Sequence, residues 1–313
     1  MTETQRRQER REGGSRKISA AGLTDAGKVR DHNEDAFFIA EDLGLFIVSD
    51  GMGGHEAGEM ASAIVVKALP VQIAAMLDND TSVDDTRLVN GLRYAISELS
   101  VQVHEQAVRA ASLRGMGATV VACLLRNDVA AIAHMGDSRT YLVRDRCIEL
   151  LTQDHTVAGV LMQLRQITRK DAMTHPGRST LTRYVGMEDD VGPDVQLLDL
   201  RDGDRLLLCS DGLTNMVDDR TIGNLVWSEP DLSAACRALV NAANEAGGKD
   251  NVTVLIVQYG DWDKRDNRGK NEVSVRRTIG RSLRRVDDAD LTTPDLAHGE
   301  AIQDNTHTKE MDS

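Results

Sequence analysis

Residues 45–55 read LFIVSDGMGGH, an apolar run that ends in an aspartate and a glycine-rich turn. The run 45–48 is typical of a buried strand, and Asp50 and Gly51 come directly after it. Three other apolar runs also carry a carboxylate at one end: 36–40 after Glu34 and Asp35, 206–209 before Asp211, and 252–257 after Asp250. Because strand ends meet at the edge of a sheet, we expect these carboxylates to converge.

Converging carboxylates repel one another unless positive charge lies among them. No equal number of Lys or Arg residues accompanies these four stretches. Hard divalent cations relieve such repulsion, since they prefer oxygen ligands. The pattern therefore indicates a metal-dependent hydrolase.

The composition sets the broad class of the protein. A chain of 313 residues holds one large domain or two ordinary ones. Hydrophobic residues make up 41% and aromatic residues only 3%, so the core must be aliphatic. The formal net charge of −13 argues against binding to nucleic acid, which is itself a polyanion. We interpret this charge as a source of solubility.

Cysteine usage and the N-terminal sequence indicate the compartment. The four cysteines contain no C-x-x-C pair, and most lie in apolar runs. We expect buried free thiols in a reducing cytosol rather than disulfides or a zinc site. Residues 1–17 lack the apolar segment of a signal peptide, and no stretch of 18 apolar residues occurs. We therefore expect a cytoplasmic protein without a membrane span.

Hydrophobic periodicity predicts the order of the elements. Helices are predicted over 59–77, 88–111, 218–227 and 232–246. Strands are predicted over 118–125, 129–135, 140–143, 148–151, 195–200, 205–209 and 252–259, in addition to the runs above. The polar stretch 155–184 is less regular and predicts helical turns and a loop. Helices occur in pairs between groups of strands, which favours an α+β fold with antiparallel sheets over a doubly wound parallel sheet.

Both ends of the chain differ in composition from the middle. We predict a disordered basic arm over 1–17, a folded domain over 18–260 and a disordered, charge-segregated tail over 261–313. Residues 264–286 include nine basic and two acidic residues, whereas 287–313 include eight acidic residues and one lysine. Val275, Ile279, Leu283 and Val286 recur at helical spacing, so a basic amphipathic helix that docks on a membrane or an acidic partner is an alternative. We favour disorder because Gly280 weakens that helix.

The acidic stretches and their order resemble the metal-dependent protein phosphatase family, the protein phosphatase 2C type, in its bacterial form. The matching segments lie in colinear order over about 18–260: GLTD (22–25), RDHNED (30–35), DGMGGH (50–55), AGE (57–59), GAT (117–119), GDSR (136–139), TQDH (152–155), TR (182–183), Gly186, SDGL (210–213) and KDNVT (249–253). A single Asp-Gly dipeptide is a common hairpin turn. Eleven matches in the same order over most of the chain are specific to the family.

The resemblance implies a fold and a metal centre. The fold is a four-layer αββα sandwich, in which two antiparallel sheets lie between helix pairs. Two Mn²⁺ or Mg²⁺ ions would lie in the cleft at one end. The implied ligands are Asp50 as the bridge, the carbonyl oxygen of Gly51 for one ion, Asp211 and Asp250 for the other, and Glu34 and Asp35 either through bound water or directly.

Two further residues are implied by the resemblance, each with a simpler alternative. Arg30 would bind phosphate oxygens through its planar guanidinium group, although most arginines merely lie at the surface. Asp137, with Asp211, would hold a third, weaker metal site, although it could instead cap or turn the chain.

The implied activity is hydrolysis of phosphoserine and phosphothreonine in phosphorylated proteins. A hydroxide that bridges the metals would attack phosphorus directly, without a phosphoenzyme. We expect a monomer that opposes a Ser/Thr kinase. The alternatives are a catalytically inactive binding module on the same fold and a partner-switch phosphatase that acts on an anti-sigma antagonist.

The chain departs from the animal members of the family at one catalytic position. Met52 occupies the place of their histidine, as in bacterial relatives, so the general acid is unassigned. His55 is close in sequence but has no argued geometry. The segment 157–178 matches the family only loosely, and in the family this flap is tied to substrate choice.

Overall fold

Two β-sheets lie face to face between pairs of helices in the computed structural model, which describes residues 16–77, 84–188, 191–262, 272–276 and 278–284. The strands are β1 (Ile18–Asp25), β2 (Asp35–Ala40), β3 (Leu45–Met52), β4 (Gly117–Ala118), β5 (Val120–Arg126), β6 (Val129–Met135), β7 (Arg139–Arg144), β8 (Cys147–Leu150), β9 (Asp194–Asp199), β10 (Asp204–Cys209), β11 (Val252–Tyr259), β12 (Ser274–Arg276) and β13 (Leu283–Arg284). The helices are α1 (His55–Leu77), α2 (Asp85–Arg109), α3 (Val157–Gln163), α4 (Arg169–Ala172), α5 (Asp211–Thr214), α6 (Asp219–Ser228) and α7 (Leu232–Glu245), with a 3₁₀ turn at Ala111–Leu113.

The first sheet has the strand order β1-β11-β10-β7-β8-β12, and the second has the order β13-β9-β6-β5-β3-β2, with β4 beside β3. Neighbouring strands are antiparallel, apart from the parallel pair β8–β12. Helices α1 and α2 cover the second sheet, and α6 and α7 cover the first. The four-layer α+β sandwich expected from the sequence is confirmed.

Strand β3 shows why its sequence is an unbroken apolar run. Leu45 and Ile47 face the layer of α1 and α2, whereas Phe46 and Val48 face the layer between the two sheets. All four are 0% exposed. A strand that is buried on both faces has no polar face to present, so the usual alternation is absent.

The predicted elements match the observed ones with shifts of a few residues at their ends. Helix α1 begins at His55 rather than at residue 59, and the strand predicted over 118–125 is divided into β4 and β5. A short helix, α5, follows β10 and begins at Asp211.

The cysteines are free thiols, as predicted. Cys123, Cys209 and Cys236 are buried, and Cys147 is half-buried. Burial raises the pKa of Cys123 to about 12 and that of Cys209 to about 12, so these thiols stay protonated and unreactive near neutral pH.

Helix α1 qualifies by length and composition as a membrane-crossing helix over Glu56–Leu77, and no other helix in the described ranges does. Its inner face packs on the second sheet, where Ala61, Val65 and Leu69 are 0% exposed. Such one-sided burial is typical of a core helix.

The chain after residue 260 packs against the domain, contrary to the prediction of a disordered tail that begins at 261. We call residues 272–276 and 278–284 the C-terminal strap. The strap adds β12 to the edge of the first sheet and β13 to the edge of the second. Val273 is 1% exposed and belongs to the core of the first sheet. The domain boundary at 260 is therefore wrong for this segment.

The predicted alternative of an amphipathic helix is also wrong for the described part of the tail. Val275 and Leu283 lie in strands, and Gly280 has a φ of 63°, which breaks a helix. Val286, the acidic half of the tail, and the N-terminal arm up to residue 15 lie outside the described residues.

A buried arginine anchors the chain just before the strap. Arg205 is 0% exposed and donates hydrogen bonds to the carbonyl oxygens of Val226, Glu229 and Pro230. Its guanidinium carbon lies 3.7 Å from the ring centroid of Trp262. This cation–π contact shows that the domain extends past residue 260.

Candidate active site

Two aspartates face each other directly across neighbouring strands. Asp35 begins β2, and its partner in the antiparallel register with β3 is Asp50. Like charges placed opposite each other on one sheet destabilise it. One carboxylate oxygen of Asp35 accepts a hydrogen bond from Ser210 Oγ at 2.7 Å, whereas the other is buried and has no hydrogen-bond partner among the described residues.

Three more aspartates reach the same place from other strand ends. Asp211 begins α5 two residues after the end of β10, Asp250 lies two residues before β11, and Asp137 lies between β6 and β7. The convergence predicted from the strand ends is therefore present. These residues, together with Arg30, Glu34, Asp50 and Gly51, line one cleft of about 490 Å³.

Burial, and then repulsion between the carboxylates, raises the pKa of four of them in the absence of bound cations. Burial raises the pKa of Asp35 to about 7, and Asp211 and Asp250 add to this rise. Burial and then Asp250 raise the pKa of Asp211 to about 6. The pKa values of Asp50 and Asp137 also lie well above their usual range, again mainly through burial. An environment of this kind disfavours charged carboxylates unless cations neutralise them.

The donor set fits hard divalent cations. Its side chains offer carboxylate oxygens, which Mn²⁺ and Mg²⁺ prefer. Among the described residues that line the cleft, Arg30 is the only Lys or Arg. In the described part of the chain one oxygen of Asp35 has no hydrogen-bond partner, and Asp35 faces a second carboxylate, Asp50.

Glycine is required where the backbone of the cleft is closest packed. A Cβ atom on Gly51 would lie 2.0 Å from the carbonyl oxygen of Gly58, and one on Gly58 would lie 1.9 Å from Glu34 Oε2. The Gly51 amide donates to the carbonyl oxygen of Glu34 at 3.1 Å. Any larger residue would displace Glu34 or the turn after β3.

Arg30 lies at the rim of the cleft. Its Nη2 atom is 2.9 Å from Asp250 Oδ2, and its side chain is 54% exposed. The hydrogen bond to Asp250 raises the pKa of Arg30 above its ordinary value. The guanidinium group therefore carries a charge that faces both the carboxylates and the solvent side of the cleft.

Three polar residues, for which the sequence predicted no role, hold the acidic stretches together. Asn251 accepts a hydrogen bond from the Glu34 amide at 2.9 Å and donates to the carbonyl oxygens of Ala26 and His32. Ser210 binds Asp35, and Thr119 Oγ1 accepts from the Asp50 amide at 3.0 Å. Each lies within a matched family segment, which is the one signal that marks them in the sequence.

The loop that carries Asp137 is held by a buried histidine. His155 Nδ1 accepts a hydrogen bond from the Gly136 amide at 3.3 Å, and its Nε2 lies 3.3 Å from Asp194 Oδ2. The ring of His134 stacks on His155 with centroids 4.6 Å apart.

The ligand atoms of His134, His155 and Asp194 lie within 4.8 Å of one another, close enough for a metal site. His134 is 2.9 Å from the carbonyl oxygen of Gln153, and Asp194 accepts from Arg183 at 2.8 Å. Because protein groups already occupy these atoms, we interpret the cluster as support for the Asp137 loop.

The cleft continues beneath the predicted flap. Helices α3 and α4 lie in the loosely matched segment, so helical turns with loops are observed there as predicted. A second cavity of about 250 Å³ is lined by Met162 and Met173 from this segment, by Ile279 from the strap, and by Asp137 and Asp211, which also line the first cleft.

No general acid is assigned by the described residues of the cleft. Met52 lines the cleft at the position of the animal histidine, and a thioether cannot donate a proton. The side chain of His55 lies outside the described part of the structure.

The fold and the cleft define a metal-dependent hydrolase, and comparisons identify its family. The family model described as Protein phosphatase 2C matches residues 26–254. The chain is 37% identical over 238 residues to the serine/threonine phosphatase Stp of Listeria welshimeri, which covers 75% of this chain and 93% of that protein. It is 36% identical over 244 residues to the protein phosphatase PhpP of Streptococcus pneumoniae, which covers 77% of this chain and 97% of that protein.

The chain is also similar to a solved structure of a serine/threonine phosphatase that contains bound metal. The catalytic domain of the serine/threonine protein phosphatase PstP in complex with two manganese ions is 34% identical, with a TM-score of 0.65, over 78% of this chain and 99% of that chain. The chain belongs to the protein phosphatase 2C family. It is a protein serine/threonine phosphatase, and its substrates are phosphoproteins.

Proposed function

We propose that this phosphatase holds two divalent cations, Mn²⁺ or Mg²⁺, between Asp50, the carbonyl oxygen of Gly51, Asp211 and Asp250. The observation that carries the proposal is the facing pair Asp35–Asp50, at the point where the other strand ends converge. Such an arrangement opposes folding by charge repulsion, and bound cations would remove that cost.

Glu34 and Asp35 would support the ions from behind Asp50, directly or through water. Asp35 is 8% exposed, and its unpartnered oxygen is available to a ligand. Asp137 with Asp211 would hold a third and weaker site, since fewer protein carboxylates lie there. When bound, the ions would acidify a shared water and neutralise charge on the phosphate.

Arg30 would bind the phosphate group of the substrate. Its guanidinium group is anchored to Asp250 through one nitrogen, and the planar fork has further donors that can meet phosphate oxygens. Met52 would form an apolar wall beside the leaving group, which is the serine or threonine side chain. Because Met52 cannot donate a proton, water would protonate the oxygen of this leaving group. Phosphothreonine and phosphoserine differ by one methyl group, which the open cleft tolerates.

The physiological part of the proposal follows from this chemistry. A phosphatase of phosphoserine and phosphothreonine in proteins opposes a Ser/Thr kinase, so we place the enzyme in signalling. Its free thiols, three of which are buried, support a cytoplasmic location. We propose that it acts as a monomer.

Asp50→Asn tests the metal assignment. The amide loses the charge that would bridge two cations, so hydrolysis of p-nitrophenyl phosphate with Mn²⁺ should fall by at least about 100-fold. Calorimetry should show that Mn²⁺ binding weakens in parallel. Asp145→Asn is the matched control, since that side chain is 82% exposed and outside the cleft.

Circular dichroism and the melting temperature confirm that both variants fold. An Asp50→Asn protein with near-normal Mn²⁺-dependent turnover would contradict the two-ion proposal.

A further inference from the structure

Glu149 is a buried carboxylate whose hydrogen-bond partners come from the C-terminal strap. The residue lies in β8 and is 2% exposed. Its Oε1 atom accepts from the Ser282 amide at 2.7 Å, and its Oε2 atom accepts from Ser282 Oγ at 2.8 Å. Arg276 Nη1 lies 3.0 Å from the same Oε2 atom and 3.2 Å from Ser282 Oγ. One serine therefore provides two of the bonds that keep this carboxylate satisfied.

We propose that Ser282 is a phosphorylation site and that phosphate on its hydroxyl releases the strap from the domain. The hydroxyl now donates to Glu149, whereas a phosphate ester has only acceptor oxygens and a charge of about −1.5 to −2 at neutral pH. The docked position would place this charge against a buried carboxylate. Arg276, which contacts Glu149, would then face about 2.5 to 3 negative charges instead of one.

The sequence around Ser282 has the chemistry that arginine-directed kinases recognise. Arg276, Arg277 and Arg281 precede it within six residues. Such a kinase transfers the γ-phosphoryl group of a nucleoside triphosphate. The bond between Ser282 Oγ and phosphorus forms, the bond from phosphorus to the diphosphate oxygen breaks, and the hydroxyl proton passes to a base of the kinase.

The strap is built in a way that allows release. Strands β12 and β13 have three and two residues, and among the described strands each pairs with a single neighbour, at a sheet edge. Few backbone bonds hold so short an edge strand, so local opening costs far less than global unfolding. Ser282 is half-buried when docked, and the kinase would therefore act on the open form and prevent it from closing.

Release of the strap would alter the cleft as well as the sheet edges. Ile279 lines the cavity that also includes Asp137 and Asp211. When the strap leaves, this cavity loses one apolar wall next to the catalytic cleft. Phosphorylation at Ser282 would thereby reshape the surface on which a phosphoprotein substrate rests.

Hydrogen–deuterium exchange of the full chain with Mn²⁺ tests the release. The amides of Ser274 and Gly280 donate to the carbonyl oxygens of Arg146 and Leu150 at 2.9 Å and report on docking. Ser282→Glu should raise their exchange rate by about tenfold or more, because two carboxylates would then meet at Glu149. Thr278→Glu is the matched control, since it adds the same charge at an exposed position of the strap.

A double variant separates the effect of charge repulsion at residue 149 from the effect of a larger side chain at residue 282. Glu149→Gln combined with Ser282→Glu should restore protection, because the amide can donate to the new carboxylate. Exchange in Ser282→Glu that equals wild type would overturn the proposal, as would a double variant that stays unprotected. Equal exchange in Thr278→Glu and Ser282→Glu would also overturn it, since charge alone would then suffice.

The modification itself is tested with an arginine-directed Ser/Thr kinase and Mg-ATP. The Asp50→Asn chain is the substrate, so that the enzyme does not remove the phosphate. Mass spectrometry should find phosphate on Ser282, accompanied by the same rise in exchange at Gly280. A kinase that phosphorylates a control peptide but leaves Ser282 unmodified would refute the assignment.

Discussion

Asp35→Asn should make the metal-free protein more stable at alkaline pH, although it alters the proposed metal centre. Asp35 faces Asp50 across the strand pair, and no residue that the structure describes forms a hydrogen bond with one of its buried oxygens. Burial raises its pKa from 3.8 to about 7, despite the hydrogen bond from Ser210. Without cations, the ionised carboxylate therefore opposes folding.

The magnitude follows from the pKa. The rise in the pKa of Asp35 from 3.8 to about 7 corresponds to about 4 kcal/mol, since each tenfold change in proton affinity is about 1.4 kcal/mol. Between about pH 4 and pH 7 the folded protein holds a proton that the unfolded chain has lost, so the free energy of unfolding falls as the pH rises. Asparagine does not titrate and avoids this loss. Its amide lacks a matched acceptor, which costs about 1–2 kcal/mol, so we expect a net gain of about 2–3 kcal/mol at pH 8.

Urea denaturation at pH 5 and pH 8, with EDTA or with saturating Mn²⁺, measures this effect. In EDTA at pH 8 the variant should have a higher free energy of unfolding than wild type. Most of this difference should be lost at pH 5. With Mn²⁺, wild type should be the more stable of the two proteins, because Mn²⁺ binding stabilises wild type more strongly than the variant. The exposed control Asp145→Asn should change stability by less than about 0.5 kcal/mol. A variant that is less stable than wild type at pH 8 in EDTA would refute the reasoning.

Three other variants test separate parts of the molecule. Arg30→Ala should raise the KM for phosphopeptides with a smaller fall in kcat, since the guanidinium group would bind ground state and transition state alike; an unchanged KM with saturating metal would contradict its role. Asp137→Ala should keep two ions but lose activity at limiting Mn²⁺, and calorimetry that finds the same sites and affinities as wild type would make Asp137 structural. Truncation after Gly260 should lower the free energy of unfolding by at least about 2–4 kcal/mol, because it removes the buried Val273 and the Trp262 contact; a truncated chain as stable as wild type in urea would show that the strap contributes nothing.

The sequence predicted those parts of the site that depend on residues close together in the chain. Aspartates at strand ends are visible as the boundary between an apolar run and a turn, so the positions of Asp35, Asp50 and Asp250 could be predicted. Their convergence followed because antiparallel strands bring many ends to the same edge. Strands such as β3, buried on both faces, were recognisable because their apolar runs are unbroken.

The interactions that position these aspartates could not be predicted. Ser210 and Asp35 are 175 residues apart in the chain, and Asn251 and Glu34 are 217 apart. A serine or an asparagine has the same local signature whether it caps a turn or holds a distant carboxylate. Only the folded chain shows which of these roles it has.

The strap shows why composition misjudged the chain after residue 260. Its basic, polar sequence is typical of disorder, because few of its residues can be buried. The edge strand β8, however, would otherwise end the first sheet with unpaired backbone groups. Its Glu149 lies opposite Leu142 of the layer between the sheets, where a carboxylate is costly unless it is hydrogen-bonded. A short, charged segment that supplies backbone pairing, an arginine and a serine meets both needs, so the charge that suggested disorder is what the domain requires at that edge.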